Sequence, residues 1–192
     1  MKHIKRQQSP VSFEQWKNEN RTANWNDFSG TDLYKEVKNQ LLNQQEQMCG
    51  YCEILIIKNG KSSHIEHLKD KQNFPKEEFN YDNFIASCQH RDSCGHKKGT
   101  NYFSNFVSPF DPNCQSRFTY TRNGRIIPSD KKDKDAIKTI NILGLNCKRL
   151  VDRRKGIINT LEDMDNNYIE QSLKNCKEWY CGFYTVIEYM MH

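Results

Sequence analysis

Cys49-Gly50-Tyr51-Cys52, then Ile65-Glu66-His67, then Asn83 and Cys88, then Cys94-Gly95-His96-Lys97-Lys98-Gly99: these spaced fragments decide how the chain is read. Two cysteine pairs, Cys49/Cys52 and Cys88/Cys94, match the needs of a structural four-cysteine zinc site, in which two tight turns each supply two soft ligands to a tetrahedral ion. The second pair encloses five residues, wider than the usual two to four. A redox pair at Cys49/Cys52 would need a βαβ context that a helix followed by a hairpin does not give. Buried, unliganded thiols are the other reading, since free cysteine packs as a small hydrophobe. His90, inside the second pair, is an alternative ligand. Cys114, Cys147, Cys176 and Cys181 read as core packing.

The composition agrees with a small core held by a staple. Of 192 residues, 35% are hydrophobic and 28% charged, with a mean hydropathy of −0.95. Ten Phe, nine Tyr and three Trp nevertheless argue against wholesale disorder. There is no run of about 18 apolar residues, so no membrane span is expected. No apolar stretch follows the basic start Met1-Lys2-His3-Ile4-Lys5, so no secretory signal is expected and the chain reads as cytoplasmic. In that reducing compartment eight cysteines point to metal before cross-links. A net charge of +5 permits nucleic acid as a partner without demanding it.

Outward from the cysteines, residues 1–28 read as a partly ordered arm, and a domain division of 1–30, 31–128 and 129–192 follows. Ser29 with Asp32 fits a capping box, and Leu33, Val37 and Leu41 predict an amphipathic helix over 31–47. Glu53-Ile54-Leu55-Ile56-Ile57, the Asn59-Gly60 turn and Ser62–Leu68 predict a hairpin. Residues 83–88 form a short apolar element. A small hairpin, Phe118–Tyr120 against Arg125–Ile127, precedes helices carried by Ala136/Ile140/Leu143, by Leu150/Ile157/Leu161/Met164, and by Ile169/Leu173/Cys176/Tyr180.

Glu66 and His67 are neighbours on a strand, so their side chains face opposite ways. Together with Asn83 and His96 they supply the parts of a hydrolytic phosphodiesterase. A carboxylate and an imidazole can hold a divalent ion, a second imidazole near neutral pKa can take a proton from water, and an amide can fix the geometry. His64, two residues before Glu66, shares its face and reads either as a third ligand or as an exposed strand residue.

The ordered series CxxC, Glu-His, Asn, Cys and Cys-x-His-Lys-Lys resembles the HNH, or ββα-metal, nuclease motif with a four-cysteine zinc knuckle. More closely it is similar to the retron- and Septu-associated HNH endonucleases, the PtuB-like family. Tyr81-Asp82-Asn83, Thr139–Asn146, Leu150 and Arg154 extend the likeness. The resemblance implies an α+β fold with a ββα-metal core, an N-terminal helix and a C-terminal helical region. It implies His67 as general base, Asn83 as the orienting residue, Glu66 and His96 as ligands of a catalytic Mg2+ or Mn2+, and Cys49, Cys52, Cys88 and Cys94 as ligands of structural Zn2+. The chain departs from the commonest pattern in having Glu at 66 rather than Asp, and Gly95 before His96. Also implied are a PtuA-like ATPase partner and, in retron versions, a reverse transcriptase with its RNA–DNA product.

Arg91, Lys97, Lys98, Arg153 and Arg154 are the candidate phosphate contacts, with DNA favoured over RNA as substrate. The last two belong to a basic stretch that helical spacing spreads over an outer face, or that is simply solvated. The competing function is a zinc-knuckle adaptor without catalysis, which leaves the Glu-His, Asn, His order unexplained.

Overall fold

In the computed structural model, which describes residues 1–56, 62–174 and 182–191, the Glu66-His67 segment is a strand. β1 (Ser63–His67) runs antiparallel to β2 (Phe84–Cys88), with His64 opposite Ser87, Glu66 opposite Ile85 and His67 opposite Phe84. Directly opposed residues share a face. The register therefore sends His64, Glu66, Ile85 and Ser87 to one side and Ile65, His67, Phe84 and Ala86 to the other. Helix α4 (Cys94–Lys98) lies over the first side, where the Gly95 N–H donates to Ser87 Oγ at 3.1 Å.

Among the described residues the expected hairpin between 53–57 and 62–68 does not form. Ile54 and Leu55 make only isolated bridges, to Gly182 and Met48. The physical reason lies in where the backbone bonds go: the Cys49 N–H donates to Ile54 O at 2.9 Å and the Ile56 N–H to Gln47 O at 2.7 Å, so this run folds back on the first cysteine turn and not on β1. The Asn59-Gly60 turn lies outside the described residues.

The stretch read as an arm is folded onto the ribbon. It contains α1 (Val11–Glu19) and α2 (Trp25–Phe28). Phe13 and Phe28 are fully buried, and the Phe13 ring lies 5.7 Å from that of Phe84. Helix α3 (Asp32–Gln44) begins at Thr31, whose Oγ1 accepts the Tyr34 N–H, and not at Ser29. Gly30, at φ +85°, turns the chain between them, so Thr31 is the residue that meets the orphan N–H groups. The reciprocal capping box sits one helix earlier, on Asn24 and Asp27.

The C-terminal pattern matches expectation more closely. β3 (Phe118–Tyr120) pairs with β4 (Ile126–Pro128), and α5 (Lys134–Ile142), α6 (Lys148–Leu161) and α7 (Asn166–Lys174) follow. Cys176, Tyr180 and Cys181 lie outside the described residues. Helix α8 (Tyr184–Tyr189) is tied to the residue after the first cysteine pair. The buried Glu53 carboxylate accepts both the N–H and the hydroxyl of Thr185, at 2.8 and 2.6 Å, and lies 3.0 Å from the Met1 ammonium. The whole is an α+β fold: a strand–strand–helix unit with four clustered cysteines, flanked by helices. Among the described residues no helix is long and apolar enough to cross a membrane.

Candidate active site and metal cluster

The first cysteine pair sits on the turn that leaves α3 through Glu46 and Gln47, both at positive φ. The Gly50 N–H donates to Ala86 O at 3.0 Å. A Cβ at position 50 would collide with the Ile85 side chain, so only glycine lets this turn seat on β2. Cys88 ends β2 and its N–H donates to Cys49 Sγ at 3.4 Å. Cys94 is held in the left-handed region by its N–H bond to Leu143 O at 2.7 Å. The long gap is spanned because Arg149 binds Asp92 Oδ1 and Ser93 Oγ, at 2.9 and 2.7 Å.

The four sulfurs are buried and lie within 4.8 Å of one another, with Cys52 and Cys88 at 4.0 Å. A tetrahedral ion with bonds of ~2.3 Å sets its sulfurs about 3.8 Å apart, so the four can hold a metal ion. Burial opposes ionisation of Cys49, but hydrogen bonds from the other three thiols outweigh it and hold its pKa well below the ordinary value. His90 is exposed and stands outside the cluster. Cys114 is buried in the core.

Gly95, the next residue after Cys94, faces a second polar cluster. Glu66 Oε1 lies 2.9 Å from Lys98 Nζ, and Oε2 lies 3.6 Å from His64 Nε2. Lys98 is fully buried. Burial pushes the Glu66 carboxyl up, but the His64 hydrogen bond and the Lys98 charge together bring it below its usual value. The His96 ring stacks beside that of His64, centroids 4.5 Å apart, and its Nε2 is 2.6 Å from Gln89 Oε1. Burial and the neighbouring His64 lower the His96 pKa. Lys98 engages Glu66 Oε1, so the donors that remain side by side are Glu66 Oε2 and His64 Nε2; a carboxylate oxygen and an imidazole nitrogen at that separation fit a divalent cation.

His67 faces the other way. Its ring lies edge-on to Trp25 at 4.4 Å and to Phe84 at 5.2 Å, and its Nε2 is 2.9 Å from Glu78 O. A carbonyl only accepts, so Nε2 carries the hydrogen and, in the neutral ring, Nδ1 carries the lone pair. Burial lowers the His67 pKa and so favours the neutral ring, against the opposite pull of the Glu78 hydrogen bond. Asn83 clamps the loop that supplies this carbonyl. Its Oδ1 accepts the Lys69 N–H at 2.8 Å, and its Nδ2 donates to Lys69 O at 2.8 Å and Glu77 O at 3.1 Å.

The structure thus gathers Glu66 and His96 on one face, with His64 and Lys98, and places His67 and Asn83 around the end of β1 on the other. Trp25 and Glu78 escaped the sequence reading because both reach His67 through tertiary contacts alone. Of the basic residues, Arg91, Lys97 and Arg153 are exposed. Lys98 is committed to Glu66. Arg154 does not face outward: it is 2% exposed and donates to Gly124 O and Leu145 O, at 3.0 and 2.5 Å. It stands four residues after Leu150 and four before Ile158, on the buried stripe of α6.

No family model matches the chain. Among curated proteins it is similar to "Retron Vc95 putative HNH endonuclease" of Vibrio cholerae, at 34% identity over 146 residues, covering 68% of this chain and 69% of that one. It is also similar to "Retron Ec83 putative HNH endonuclease" of Escherichia coli, at 24% identity over 212 residues, covering 82% and 79%.

Proposed function

This chain belongs to the retron-associated HNH endonuclease family, and on that premise we propose that it is a metal-dependent endonuclease hydrolysing phosphodiester bonds of nucleic acid, DNA in preference to RNA. The observation that carries the reading is the hydrogen bond from His67 Nε2 to Glu78 O, which fixes the tautomer whose Nδ1 can take a proton.

In this mechanism His67 deprotonates the attacking water. Glu66 and His96 would hold the cation, and Lys98 fixes the second oxygen of Glu66. The divalent ion, Mg2+ or Mn2+, supplies charge stabilisation to the scissile phosphate and the leaving oxygen when bound. Asn83 is a positioning residue: through the loop carrying Glu77 and Glu78 it sets the angle of the His67 ring. Arg91, Lys97 and Arg153 meet the phosphate backbone. Cys49, Cys52, Cys88 and Cys94 would hold Zn2+ in a structural role, as soft thiolates favour it over harder ions. In this proposal the enzyme is the nuclease effector of an anti-phage system of retron type, working in the cytoplasm with a PtuA-like ATPase and a reverse transcriptase with its RNA–DNA product.

The test is cleavage of plasmid, single-stranded DNA and RNA in Mg2+ or Mn2+, with and without chelator. Metal-dependent cleavage of DNA is expected, falling by roughly 10²–10⁴ in His67→Ala, the range of a lost general base. Undiminished cleavage by that variant rejects the role of His67. Metal-dependent nucleic-acid binding with no cleavage, even with partners present, supports the adaptor instead.

A further inference from the structure

His64 takes no part in the chemistry assigned so far, yet it lies against the carboxylate that holds the cation. We propose that His64 is a direct ligand of the catalytic cation beside Glu66, and that Gly95 is the residue that makes room for it. This rests on the nuclease reading and adds a second imidazole, beside that of His96, to that site.

Strand alternation puts positions 64 and 66 on one face, and His64 Nε2 is 3.6 Å from Glu66 Oε2. Neighbouring donors around an ion with bonds of about 2.1 Å stand roughly 3.0–3.4 Å apart, so a small side-chain rotation brings both onto one cation. Lys98 holds the other oxygen, Oε1, at 2.9 Å, which leaves Oε2 as the free donor. His96 is differently engaged. Its Nε2 is already 2.6 Å from Gln89 Oε1, and its ring lies 4.5 Å from that of His64.

Gly95 explains how the strand histidine gains the space. A Cβ at position 95 would lie 2.7 Å from Glu66 Oε2 and 2.9 Å from His64 Nε2. Position 95 therefore points between these two donors, and any side chain there would displace them. At position 95 itself the helix contributes no side chain, and the strand adds the His64 imidazole to the donors Glu66 and His96. The buried, unpartnered Nδ1 of His64 shows that the ring is held in this place without a hydrogen bond from that nitrogen.

The experiment titrates Mn2+ into the zinc-loaded full chain and reads free Mn2+ by electron paramagnetic resonance, with zinc content and circular dichroism checked on each variant. His64→Ala is expected to weaken Mn2+ binding roughly tenfold or more. Gly95→Ala is expected to weaken it as well, although it removes no donor and improves intrinsic helix propensity by ~1 kcal/mol. Wild-type Mn2+ affinity in His64→Ala overturns the proposal. Glu66→Gln separates the two levels: if it loses Mn2+ while His64→Ala keeps it, only the role of His64 falls. If wild type binds no Mn2+, or Glu66→Gln binds it undiminished, the metal-nuclease reading falls too. Should His64→Ala fail to fold, His64→Gln retains bulk without the imidazole and is judged by the same criterion.

Discussion

Cys94 and Gly95 are neighbours in α4, but they serve two clusters of opposite character. The thiol of Cys94 joins three others in a site buried to the last sulfur. Gly95 faces Glu66 and His64, whose side chains keep 13% and 19% of their surface. A closed set of four ligands has no open position for a substrate, and its binding free energy becomes folding free energy. A partly open pair of hard and borderline donors would leave coordination positions of a bound cation open to a phosphate. The same contrast recurs between adjacent residues elsewhere. Glu66 and His67 divide across β1, and Arg153 and Arg154 divide between solvent and core.

The largest effect expected is on the closed cluster. Cys49→Ser removes one of four ligands, and with it the staple of a chain only 35% hydrophobic. Zinc stoichiometry should fall, and the melting temperature should drop by about 10 °C or more, since each kcal/mol is worth roughly 2–4 °C at this size. A variant that melts like wild type would break the distinction drawn here. Next is Arg154→Ala, which leaves the Gly124 and Leu145 carbonyls without their donor and opens a cavity in α6. About 2–4 kcal/mol of stability should be lost, read by chemical denaturation, with zinc retained. A loss of nucleic-acid affinity with no loss of stability would return Arg154 to the surface role.

Asn83→Ala sharpens the contrast from the other side. It touches neither sulfur nor carboxylate, yet it frees the loop that holds His67 through Glu78. Cleavage should fall by about 10²-fold, the cost of a ~1 Å misplacement of a catalytic group. Its mark should be a lower kcat with KM little changed, and zinc content intact. Asn83→Asp retains the bond from the Lys69 N–H but sets a carboxylate oxygen against the Lys69 and Glu77 carbonyls, so it should not recover the loss. Equal losses in kcat and in zinc content would make Asn83 a mere fold residue.

What the sequence made legible was whatever depends on local period or on residue type. The i, i+4 recurrence of Leu33, Val37 and Leu41 located α3, the short runs Phe118–Tyr120 and Arg125–Ile127 located the β3–β4 hairpin to within a residue, and the four cysteines were identified by their spacing. Strand alternation alone separated Glu66 from His67. What stayed hidden depends on long-range partners. β1 carries no mark of its partner β2, because a five-residue strand is specified by the face it buries. Lys98 is indistinguishable from Lys97 in a basic run, and only the tertiary approach of α4 buries one against Glu66. Phe13, Trp25 and Phe28 sit in a polar stretch of low hydropathy, so their convergence on Phe84 needs the ribbon to exist first.

Arg153→Ala carries the smallest effect and the finest test of the paired-neighbour logic. Arg153 is exposed on α6 while Arg154 is anchored inside, so only the former can release a counterion from DNA. The variant should melt within about 0.5 kcal/mol of wild type, as surface substitutions do. Its DNA affinity should fall uniformly across sequences, and the slope of log K against log salt should lessen by about 1. A slope unchanged within error would mean that the phosphate track runs past Arg91 and Lys97 alone, along the side of α4, and that α6 serves the fold rather than the substrate.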